Sequence, residues 1–109
     1  MGMSDVSEKK ERACQLARNI LGGSSHYLEC VNELLEIGNA LYGQVWNTEF
    51  HVFGVIASET DHLSLLLSPE LCSEASLAKM KVELKECARL YKPSVSEACN
   101  AILANHGNA

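Results

Sequence analysis

Between Gly22-Gly23 and Gly43 lies a run whose apolar residues return at helical spacing. Tyr27, Leu28, Val31, Leu34, Leu35, Gly38, Leu41 and Tyr42 share one face, and Glu29, Glu33 and Glu36 lie on the opposite one. A strand would turn alternate residues to the same side, so this period commits the stretch to an amphipathic helix. Ser24 or Ser25 is placed to cap its start, and Gly43, free to adopt the left-handed conformation, to end it. Gly38 costs up to about 1 kcal/mol relative to alanine inside a helix. Close approach of a neighbouring helix would account for a glycine there.

Other stretches read the same way. Ser4–Leu21 carries Ala13, Leu16, Ala17, Ile20 and Leu21 as its stripe, with Ser4 or Ser7 as cap and Asp5 and Glu8 suited to the positive end of the helix dipole. Ser68-Pro69-Glu70 has the order of a cap, a first-turn proline and an acid, opening a short turn that ends near Ser73. Ser73 or Ser76 then starts a long helix with Leu77, Met80, Leu84, Cys87, Ala88 and Tyr91 inward. Pro93 lacks an N–H and predicts a break or kink, followed by a final helix bearing Val95, Ala98, Cys99, Ile102 and Leu103. The stretch from Asn47 to Leu63 is ambiguous: Phe50, Val52, Phe53, Val55, Ile56 and Ala57 suit a buried helix or a short strand. Helix is favoured, because a lone strand would leave its backbone groups unpaired. The expectation is an all-α, single-domain bundle of four to five helices over 1–109, frayed at 1–3 and 105–109.

A chain of 109 residues supports one modest core. Its formal charge of −5 argues against nucleic acid, whose partners normally present a basic face. The five cysteines, odd in number and without a C-x-x-C pair, suit neither a disulfide framework nor a zinc site. They read as reduced, small apolar residues of a cytoplasmic protein. No apolar run reaches membrane-spanning length and no secretory leader is visible. Val6 stands where N-myristoylation requires Ser or Thr. No metal or cofactor is expected.

Two groups of residues are candidates for function. Ser58-Glu59-Thr60-Asp61-His62 is the densest polar cluster; on a continuous helix His51, Ser58 and His62, at offsets of 7 and 11, share a side. Together with Asp61 or Glu59 they could hold a ligand or a metal, yet the spacing is not that of a zinc helix. The simpler reading is that Ser58, Thr60 and Asp61 cap helix ends. The second group is the acidic stripe Glu29, Glu33 and Glu36, whose like charges repel by a few tenths of a kcal/mol. Its counterpart is a basic partner or the strip Lys81, Lys85, Arg89 and Lys92, met within the monomer or across a dimer; alternatively both faces are simply solvated. Trp46, in a connection, is either an interface anchor or a lid on the core.

The segment Phe50-His51-Val52-Phe53-Gly54-Val55-Ile56-Ala57-Ser58-Glu59-Thr60-Asp61-His62-Leu63 resembles the signature of a family of small, uncharacterised bacterial helical proteins, F-x-V-F-x-x-I-x-S-E-T-D-H-L-P. Ser76-Leu77-Ala78-Lys79 and Glu97-Ala98-Cys99 are similar to its C-terminal half, while Ser64 departs from the family's proline. The resemblance implies a bacterial cytosolic helical domain and no particular activity. The leading expectation is a protein-interaction domain, an adaptor or an immunity-type inhibitor, that binds a basic partner surface through Glu29, Glu33, Glu36 and Trp46. A homodimer is a second expectation. The alternative is a ligand- or metal-binding bundle or an enzyme using His51, Ser58, Glu59, Asp61 and His62.

Overall fold

The computed structural model describes residues 2–23 and 26–107, with side chains from residue 6 onward. Four α-helices, α1 (Gly2–Leu21), α2 (Tyr27–Tyr42), α3 (His51–Glu59) and α4 (Glu74–His106), are joined on the α3–α4 side by two 3₁₀ segments, Asp61–Leu67 and Pro69–Leu71. The fold is all-α, with no strand among the described residues. Asn47–Leu63 therefore resolves as helix and 3₁₀ turns. The helices form a ring in which α1 packs on α2 and α4, and α3 packs on α2 and α4. α2 and α4 lie diagonally across it.

The core fills that ring. Ala13, Leu16 and Ala17 meet Val31 and Leu34, while Phe50, Phe53 and Ile56 enter from α3 and its approach, and Cys99 and Ile102 from α4. Each large side chain so buried contributes about 1.5–3 kcal/mol. Cys30 and Ile37, off the expected stripe of α2, are also buried because α1 covers that flank. Leu21, expected inside, is exposed.

Local punctuation explains most boundaries. Gly43 closes α2 in the left-handed conformation at φ 79°, donating its N–H to Asn39. Ser73 caps α4, its hydroxyl accepting from the Ser76 N–H at 3.2 Å. Pro69 stands first in its 3₁₀ segment, after Ser68. α1 already runs at Gly2, so neither Ser4 nor Ser7 starts it. Ser24 and Ser25, the expected caps of α2, lie outside the described residues, and α2 follows His26 with no side-chain cap.

Pro93 does not break the chain into two helices. α4 runs unbroken through it for 33 residues. A proline forfeits one hydrogen bond, here to the Arg89 carbonyl, and both residues are exposed, where water can serve the freed oxygen. The inward stripe keeps its phase across the proline, from Tyr91 to Val95, Ala98 and Ile102, so packing favours one continuous rod. α4 also extends through Asn105 and His106, into the stretch expected to fray.

Burial along α4 is unequal. Its buried residues, Val95, Ala98, Cys99 and Ile102, all follow the proline. From Glu74 to Ser94 the stripe is only half-buried, and Val82 and Leu90 are 58% and 74% exposed. With the 3₁₀ segments, this half forms an arm that the rest of the ring does not enclose.

Candidate functional site

The clearest concavity among the expected residues is a groove of about 370 Å³ between α2 and α3. Leu35 and Asn39 form its α2 wall, Val45 and Trp46 one end, and His51, Gly54, Val55, Ser58 and Glu59 its α3 wall. The α3 residues recur at helical spacing, so the expected shared side of His51 and Ser58 is present. Gly54 leaves the groove its depth: a Cβ there would stand 3.2 Å from Val45 Cγ2 and 3.5 Å from Leu35 Cδ1.

Trp46 is 63% exposed and does not lid the core. Its ring lies on His51, centroids 4.7 Å apart at 58°. The connection is held by Thr48, whose hydroxyl donates to the Val45 carbonyl at 2.7 Å and accepts the Phe50 N–H at 3.1 Å. Asn47, in the left-handed region at φ 62°, makes the turn, as asparagine tolerates better than most residues. His51 Nε2 is buried and has no hydrogen-bond partner. His51 and Val55 also line a second cleft of about 390 Å³ toward α4, with Glu49, Tyr91, Ser94 and Glu97.

The rest of the polar cluster does not converge on this groove. Thr60, buried, donates its hydroxyl to the Ile56 carbonyl at 2.7 Å and closes α3. Past it the chain winds as a 3₁₀ helix, turning about 120° per residue instead of 100°. His62 therefore leaves the His51–Ser58 side and meets Glu83 of α4 at 2.9 Å, and Asp61 is exposed at the head of the 3₁₀ segment. Thr60 thus fulfils the capping reading of the cluster, while Trp46, His51, Ser58 and Glu59 share a groove. Neither histidine hydrogen-bonds Ser58, and no cluster of three metal-ligating side chains occurs among the described residues. None of the cysteines forms a disulfide, and burial pushes the Cys99 thiol up to about 11.

The acidic stripe does not meet the basic strip of α4 within the molecule, because α2 and α4 sit diagonally. Glu33 instead accepts both Arg12 Nε at 2.7 Å and Arg12 Nη2 at 3.0 Å, from α1. That hydrogen bond, aided by the guanidinium's charge and opposed by partial burial, holds the Glu33 carboxyl below its ordinary range. Glu29 lies 3.1 Å from His26 Nδ1. Glu29 and Glu36 are exposed and form an acidic ridge along α2, and Glu36 also lines a cleft of about 310 Å³ against α1 with Lys9 and Arg12.

One polar constellation had no warning in the spacing. Glu49 Oε2 accepts the Tyr42 hydroxyl at 2.8 Å and hydrogen-bonds His106 Nε2 in the last turn of α4. The His106 and Glu49 side chains are only 7% and 9% exposed. Burial alone would raise the Glu49 carboxyl, but hydrogen bonds from its own backbone, Tyr42 and His106 outweigh it and hold the group below the ordinary range. Burial, then the hydrogen bond to Glu49, pushes Tyr42 up to about 12. No family model, no curated protein and no solved structure matches the chain.

Proposed function

We propose that this chain is a protein-interaction domain, an adaptor or inhibitor, whose Trp46 groove and Glu29–Glu36 ridge receive a basic partner surface. The observation that carries the reading is Trp46, 63% exposed at the end of a largely apolar groove with the Glu59 carboxylate in its wall. A rigid aromatic beside a concavity is the usual composition of an interface anchor, and surrounding carboxylates steer a cationic partner and set its register. The net charge of −5 supports the same sign of partner. Glu33, already engaged by Arg12, positions the ridge rather than meeting the partner. On this reading the chain works in the cytoplasm of a bacterium, as the Phe50–Leu63 resemblance implies.

The test places a photo-crosslinking residue at Trp46 or Glu36, with Ala104 at the far end of α4 as control, in the source cells. Crosslinks at the first two positions that disappear with Gly54→Leu, which fills the groove, support the reading. Labelling no stronger than at Ala104 overturns it. A second reading, a small ligand in the same groove, is favoured by the unpartnered His51 Nε2. In that case native mass spectrometry of freshly purified protein shows a bound small molecule that Gly54→Leu excludes.

A further inference from the structure

We infer that the basic surface received by the ridge is the α4 arm of a second copy, so that the protein is a reciprocal homodimer; this rests on the interaction reading above. Lys81, Lys85, Arg89 and Lys92 recur every three or four residues and occupy one stripe of α4, all four exposed. That stripe borders the half-buried residues of a helical segment that buries nothing completely from Glu74 to Ser94. Beside it Val82 is 58% exposed, while Leu90, also exposed, lies on the opposite flank of the helix with Glu83 and Glu86. Here, then, is a positively charged helix face, with Val82 at its edge, that the monomer leaves uncovered.

The same chain carries the opposite face. Glu29 and Glu36 stand exposed on α2, and the diagonal position of α2 keeps them from the strip within one molecule. A two-fold axis supplies what the monomer cannot: each copy offers its arm to the other's ridge, and the contact is made twice. The net charge of −5 on each copy opposes association only weakly. Screening extends about 8–10 Å at physiological salt, so charges in contact outweigh those spread over the surface. Desolvation of Val82 against the partner supplies the non-directional part of the attraction, and the charged rows fix register.

The experiment is a charge-exchange series followed by sedimentation or light scattering across protein concentration. The wild type is expected to dimerise, and to weaken about tenfold or more between low and high salt. Lys85→Glu with Arg89→Glu gives an arm and a ridge that are both acidic; Glu29→Lys with Glu36→Lys makes both basic. Each double variant alone should be monomeric with an unchanged circular dichroism spectrum, and an equimolar mixture of the two should re-form a dimer. The four changes combined in one chain should restore the homodimer. A wild type that stays monomeric, or double variants that dimerise as it does, overturns the inference. Failure of mixing to restore a dimer overturns it as well. A monomer that still crosslinks another protein at Trp46 removes the homodimer and leaves the interaction reading standing; a monomer with no crosslink removes both.

Discussion

Glu49 is one carboxylate that joins three elements: Tyr42 ends α2, His106 ends α4, and Glu49 itself lies in the turn before α3. Removing one side chain of a buried hydrogen-bonded set leaves its partners unsatisfied, at a cost of about 1–3 kcal/mol. Glu49→Ala should therefore lower stability by that order in urea unfolding, while Glu49→Gln, which keeps an acceptor, should lose less. Because the folded carboxyl titrates below its ordinary value of 4.5, its stabilisation is complete above that pH and drains away as pH falls through the folded value. Acid unfolding of Glu49→Gln should thus show a shallower acid limb than the wild type. None of this constellation was legible in the sequence, because its members are 7 and 57 residues apart and belong to no shared period. Thr60 is the opposite case: a polar residue directly after an apolar helix reads as a cap, and its hydroxyl closes α3.

Among the elements, α2 was the most legible, since its stripe, its acidic face and its terminal glycine all agree. Gly38 has its reason in the turn before α3: an added Cβ would stand 2.7 Å from Phe50 Cβ and 2.8 Å from Val45 Cγ1. Helix propensity predicts a gain of about 1 kcal/mol from Gly38→Ala, but overpacking costs typically about 1–3 kcal/mol and the clash is with the buried Phe50. Net destabilisation is expected, read as a lower thermal midpoint. Pro93→Ala should act in the other direction, restoring the hydrogen bond to Arg89 and stabilising α4 by about 1–3 kcal/mol. Local chemistry made Pro93 a boundary, and packing of a stripe that keeps its phase across the proline overrode that expectation. The place of His62 was not legible, because it lies past the end of α3 in the 3₁₀ segment, and nothing in the local pattern marks the change of winding after Thr60.

At the scale of the whole molecule, chain order alone could not show which helices are neighbours. The ring places α2 opposite α4, and that decides that the acidic and basic strips fail to meet in one copy. The all-α class was legible because every long apolar stretch has a helical period or, at Phe50–Ala57, no pairing partner. Continuous in geometry, α4 is divided in stability: after Pro93 it is locked by Val95, Cys99 and Ile102, before it by half-buried contacts alone. Amide hydrogens measure this division directly, since local opening needs little free energy where few apolar groups are buried. Amides of the arm, residues 75–90, should exchange with deuterium far faster than those of 96–103, although every one of them lies within a single helix. If the arm is clasped by a second copy, its exchange should slow as protein concentration rises while the distal half stays constant.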